Sequence, residues 1–108
     1  MTPLREYAEH WFKHTALRVG HPNWLKLNAR WVRDVADARP GFTAELREVA
    51  LEALRASDRE LVHRALAALA VVGTVTDLPT VDPFASSDDT YVAGAARTAA
   101  FEIQHRAA

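Results

Sequence analysis

The sequence predicts an all-α fold: about six helices in three antiparallel pairs, forming a single domain over residues 1–108. Three observations lead there. Apolar residues recur at helical spacing, and no stretch alternates apolar and polar in the manner of a half-buried strand. Glycine and proline break the chain at helix-sized intervals. Residues 43–103 match themselves at an offset of 30, the mark of a stacked helical repeat. The only β-branched run, Val71-Val72-Gly73-Thr74-Val75-Thr76, falls at a turn.

The first helix is expected to open at Thr2 with Pro3 at its first helical position, where the missing N–H costs nothing. Leu4, Tyr7, Ala8, Trp11 and Phe12 share one face, and Gly20 is the expected stop. Asn23 is the expected cap of a second helix to about Ala38, with Trp24, Leu27, Trp31 and Val35 on one stripe and Leu25, Ala29, Val32 and Ala36 beside it. After Arg39-Pro40-Gly41, Thr43 is expected to cap a third helix with Leu46, Val49, Ala50, Ala53 and Leu54 inward. Ser57-Asp58-Arg59-Glu60 has the form of a capping box, in which Ser and Glu side chains bond each other's amides. It opens a fourth helix through Val62, Ala65, Leu66, Leu69 and Val72 that Gly73 stops. Asp77-Leu78-Pro79 begins a short fifth helix that Pro83 must distort. Ser87-Asp88 then caps a sixth helix with Val92, Ala95, Ala96, Ala99 and Ile103 inward.

The offset pairs Ser57 with Ser87, Asp58 with Asp88, Val62 with Val92, Ala65 with Ala95 and Ala70 with Ala100. Further back it pairs Leu51 with Val81 and Leu54 with Phe84. On these residues the chain resembles the HEAT-repeat family. Asp77 to Phe84 looks like the first helix of a unit, and Ser87-Asp88 through Ala95-Ala96 like its turn and second helix. The resemblance implies a short right-handed α-solenoid with helix pairs at 1–38 (divergent), 43–73 and 77–104. It also implies a protein–protein binding module, with inhibitors and immunity proteins that neutralise a toxin among its roles. Second helices of such units line the concave side. With the first unit aligned at an offset of 37, Lys26, His63 and Ala93 would form one row there, and Arg30, Ala67 and Arg97 the next.

Composition narrows the chemistry. The chain has no cysteine, which excludes disulfides, thiolate metal sites and a thiol nucleophile. No apolar run approaches the length of a membrane span, and charges interrupt any signal-like segment at the N-terminus, so the expected location is the cytoplasm. Net charge is −1 but unevenly spread: residues 1–39 carry seven bases and four acids, and the remainder carries six bases and ten acids. Such a dipolar chain can steer a charged partner to one end.

The expected partner-binding residues are Trp24, Lys26, Arg30, Arg33, His63, Arg64 and Arg97, because Trp and Arg dominate interface hot spots. Trp24 and Trp31 also read as core at helical spacing. His10 and His14 are one turn apart, a spacing that can chelate a metal, but only Glu6 and His21 are near enough in sequence to assist. His63 has neither a nucleophile nor a glycine cradle beside it, so no catalytic residue and no cofactor is expected. Nucleic-acid binding through Trp24, Lys26, Arg30 and Arg33 is an alternative that the lack of excess positive charge disfavours. A second alternative is a homodimer through the last helix, where Phe101 is expected to face solvent.

Overall fold

The computed structural model describes residues 2–107, and among them every regular element is helical. The helices are α1 (Pro3–His14), α2 (Trp24–Ala38), α3 (Phe42–Ala53), α4 (Arg59–Val72), the four-residue α5 (Leu78–Val81) and α6 (Thr90–Ala107). Short 3-10 turns at Val75–Asp77 and Asp82–Ser86 bracket α5. Pro83 sits in the second of these, where its missing donor ends the α-helical ladder as expected.

Packing centres on α4. From Val62 to Ala70 every residue except Arg64 is buried. A helix apolar on all sides must be covered on all sides. Here α3 and α6 pack along α4 and α2 packs on a third side, while α1 lies against α3. The buried alanines at 65, 67, 68 and 70 of α4, and Ala95, Ala96 and Ala99 of α6, let backbones approach closely. Phe42 and Leu46 of α3 are fully buried, and Phe42 receives the edges of Tyr7 and Trp11 from α1.

Local signals place most helix ends, with some corrections. Thr2 caps α1 as expected, its hydroxyl accepting from the Arg5 amide at 3.1 Å. However, α1 stops at His14, well before Gly20. The buried Asn28 side chain takes both backbone groups of Leu17, accepting from its N–H and donating to its C=O at 2.9 Å each. That grip fixes residues 15–22 as a loop. Asn23 does occupy the N-cap position of α2, but in the left-handed region (φ 61°) with no side-chain cap bond. For α3 the cap is Gly41 (φ 92°) and not Thr43, because the turn needs a positive φ that threonine resists. The capping box at Ser57 is replaced by Asp58, whose carboxylate accepts from the Glu60 and Leu61 amides at 2.8 and 3.4 Å. Asp89 replaces Ser87-Asp88 in the same way, accepting from Tyr91 and Val92 at 2.9 and 3.2 Å. A carboxylate one residue nearer the helix takes the free amides and complements the dipole.

Gly73 ends α4, and the reason is close approach. A Cβ there would lie 2.5 Å from the Leu69 carbonyl oxygen and 2.7 Å from Ile103 Cδ1 of α6. Gly73→Ala should therefore destabilise the fold by about 1–3 kcal/mol, as overpacking of a close contact does. Thermal unfolding by circular dichroism would show a midpoint lower by roughly 4–8 °C per kcal/mol. An unchanged midpoint would mean that α4 and α6 have slack at this crossing.

Candidate partner-binding groove

Because α2 and α6 both lie on α4, a groove of about 670 Å³ runs between them over the C-terminal end of α4. Its floor is apolar: Leu25, Ala29 and Val32 from α2, at i, i+4, i+7, and Ala70 and Val71 from α4. Trp24 stands at one end, half-buried, beside Asn23. Lys26 and Arg33, one on each side of Ala29 along α2, form a cationic wall. Opposite are Glu102 and Arg106 of α6, and Thr43 of α3 closes an edge.

The two walls differ in how their charges are used. Arg106 Nη1 and Nη2 donate to the carbonyls of Ala70 and Gly73 at 2.6 and 2.9 Å. It thereby caps the negative end of α4. Lys26 and Arg33 are exposed, and among the described residues they enter no ion pair.

Of the expected site residues, the fold brings Trp24, Lys26 and Arg33 together here and disperses the rest. Arg30 is exposed on α2 but does not line the groove. His63, expected on a concave surface, is only 2 % exposed. Its Nδ1 faces Arg18 Nη2 at 2.7 Å and its Nε2 faces Asp89 Oδ2 at 3.1 Å. Since guanidinium can only donate, Nδ1 accepts, and the ring carries its proton on Nε2 and donates to Asp89. Both ring nitrogens are thus committed, and this His–Asp pair has none to offer a substrate. Arg64 is structural too: its Nη1 donates to the carbonyl of Lys13 at 2.7 Å and to those of Phe12 and Ala16 at 3.3 and 3.5 Å, closing the end of α1. Arg97 is exposed and reaches the Ala85 carbonyl at 3.4 Å.

The two expected concave rows are accordingly not surfaces. His63 and Ala67 are buried because α4 is covered along its middle, and Ala93 of α6 is buried as well. Lys26 lies with Ala70 and Val71, further along α4 than the expected neighbour His63. Asn28 sets that register by tying α2 to Leu17. Arg106 and the α6 wall were not foreseen. The available signal was a base in the last turn of a helix, where such residues seek free carbonyls.

The rings of His10 and His14 are 4.5 Å apart and exposed. Among the described residues no group of three or more His, Cys, Asp or Glu side chains is placed to hold a metal ion. Phe101 is 64 % exposed, as expected, with His105 stacked on it at 5.7 Å.

The acidic stretch of residues 77–89 is partly neutralised from other elements. Asp77 is buried, and Arg47 of α3 holds both its oxygens, Nε to Oδ2 at 2.8 Å and Nη2 to Oδ1 at 2.6 Å. Its Oδ2 also accepts from the Thr74 amide at 2.8 Å. Burial alone would raise the Asp77 pKa, but the Arg47 bonds, the Thr74 amide and the Arg47 charge together hold it below the usual carboxylate range. For Asp89, burial likewise pushes up, and the Val92 amide, His63 and the Tyr91 amide together win and lower it.

A depressed carboxylate stabilises the fold above its unfolded pKa and loses that contribution as pH falls through the folded value. Asp77→Asn should cost about 2 kcal/mol at pH 7, below the roughly 3–5 of a fully buried pair because Arg47 is partly solvated. The gap between the two proteins should stay constant above about pH 4 and close below it. Urea midpoints at pH 7 and pH 2 would check this; a gap independent of pH would show that Asp77 acts by shape and not by charge. Comparison with known proteins finds no matching family model, no matching curated protein and no matching solved structure.

Proposed function

We propose that this chain is a non-enzymatic binding module that holds a segment of a partner protein in the groove between α2 and α6. The carrying observation is the coincidence of an apolar floor, an aromatic side chain at one end and two cations without internal partners on one wall. Interfaces combine these elements: a desolvated centre, an aromatic anchor and a charged rim.

The HEAT-like reading supports this proposal and remains part of it. In that reading α2, α4 and α6 are second helices of three units, stacked with a right-handed sense, and the groove is what remains of their concave side. The pairings of α3 with α4 and of α5 with α6 fit it, while the expected first pair departs from it, since α1 packs on α3 and not on α2. A compact three-unit protein of this kind suits a stoichiometric inhibitor or immunity protein in the cytoplasm better than an enzyme. Glu102 in the groove and the net charge of −1 weigh against nucleic acid as the occupant. The exposed Phe101 favours one further reading, self-association through α6. Light scattering at high concentration would return a dimer in that case, lost in Phe101→Ser.

The test of the main reading is a photo-crosslinking residue at Thr43, exposed on the groove edge. In lysate from the source cells it should capture one protein. The same purified pair should reassemble one to one, at least about tenfold weaker with Arg33→Glu and unchanged with Arg97→Glu. Capture of nucleic acid, or a complex indifferent to Arg33→Glu, would overturn it.

A further inference from the structure

We infer that the occupant of this groove is an amphipathic α-helix with an acidic flank turned toward α2 and an apolar stripe against α4. The inference rests on the groove being the binding site and goes further by naming the class of partner.

Backbone chemistry selects the helix. An extended segment brings unpaired N–H and C=O groups into the interface, and they need partners there. Sheet-edge pairing is the usual solution, but among the described residues there is no strand to extend. The floor is made of Leu25, Ala29, Val32, Ala70 and Val71, whose side chains have no polar atom. Ala29 and Val32 lie in the interior of α2 with their backbone bonded, and the Ala70 carbonyl is taken by Arg106. A helix brings its backbone already paired, so only its side chains need to be matched. The floor also has the right relief. The half-buried Ala29 is short beside the larger Leu25 and Val71, and an i, i+3/i+4 ridge of another helix seats in such a depression.

Charge selects the flank. Lys26 and Arg33 are seven residues apart on α2, about 10.5 Å along the axis at 1.5 Å per residue. Neither is paired within the chain among the described residues. Two carboxylates spaced i, i+7 on a facing helix meet both at once. Across the groove the guanidinium of Arg106, held by the carbonyls of Ala70 and Gly73, keeps its positive charge beside the half-buried Glu102, so that wall carries one charge of each sign. The α6 wall therefore imposes no sign on the other flank of the incoming helix, and the orientation is specified by the cations of α2 on one side, with the apolar stripe beside them.

The experiment uses the intact protein and two synthetic fluorescein-labelled peptides of about 18 residues, long enough to be helical in isolation. Both carry a leucine stripe at i, i+3/i+4, i+7. One has Glu at two positions seven apart on one flank, and the other has Lys at those positions. By anisotropy the Glu peptide is expected to bind in the micromolar range and the Lys peptide at least about tenfold more weakly. Lys26→Glu and Arg33→Glu should each weaken the Glu peptide about five- to tenfold, and the double variant should prefer the Lys peptide. Lys26→Gln and Arg33→Gln, milder for folding, should give intermediate losses, and circular dichroism would confirm that each variant is folded. No binding of either peptide up to millimolar concentration, equal binding of both, or no reversal in the double variant overturns the inference. If those peptides fail while the charge-dependent Thr43 cross-link persists, the groove stands and the helix is wrong. If both fail, the groove reading falls with it.

Discussion

The rest of this structure depends on one constraint: α4 is covered by other elements along nearly its whole middle. Its middle, from Val62 to Ala70, is buried except at Arg64, and side chains meet the free backbone groups at both of its ends. Asp58 takes the first amides of α4, while Arg106 reaches over from α6 to take the carbonyls of Ala70 and Gly73. His63, the one polar side chain fully enclosed within α4, bridges Arg18 of the first loop and the N-cap aspartate of α6. The same contacts that make burial of α4 tolerable therefore fix where α6 and the 15–22 loop lie. Small residues make the close approach feasible, and polar contacts at both ends determine its register.

That logic also accounts for the uneven charge of the chain. Bases in the first 39 residues find acids in the remainder: Arg5 with Glu52, and Arg18 with Glu60 at 2.5 Å. Arg59 and His63 meet Asp89, and Arg47 meets Asp77. Two of the seven bases of the first 39 residues, and two of the four acids between Asp77 and Asp89, are thus matched across element boundaries. Most of these pairs are half-exposed and contribute little singly. Their role is to select one arrangement of helices over others that would bury the same apolar area.

Helices could be read from the sequence because periodicity and breakers act locally. Thr2-Pro3, Gly73 and Pro83 act within a turn or two of themselves, and each does what its chemistry dictates. Cap identities were harder, since Ser57 and Ser87 compete with carboxylates next door that are better acceptors for two amides. Which residues face solvent was harder still. An internal offset aligned Lys26 with His63, but offsets carry no information about the bond between Asn28 and Leu17 that sets the position of α2. A signal for His63 was present all the same. In a segment as apolar as Val62–Ala70 most positions are enclosed, and a histidine there, shorter than Arg64 and unable to reach solvent as it does, is enclosed and bonded. The polar Asn28 between two apolar stripes carried the same message.

Exposed cations by themselves say little, because a solvated lysine or arginine is nearly neutral for stability wherever it sits. Arg30 illustrates this: it has the same chemistry as Arg33, one turn away, and no place in the groove. What distinguishes Lys26 and Arg33 is that they border apolar surface that the fold leaves uncovered. The architecture makes that surface hard to avoid. α4 ends at Gly73 because no side chain fits against Ile103, and its last turn leaves Val71 half-buried over Ala70, between two helices packed on either side of it. Filling the groove from within would require larger side chains at positions 29 and 70. Enlarging Ala70, which is fully buried, would push apart the helices whose close approach holds α4 in place. The uncovered floor is therefore a consequence of how the core is built, and the charges around it decide what kind of segment can cover it.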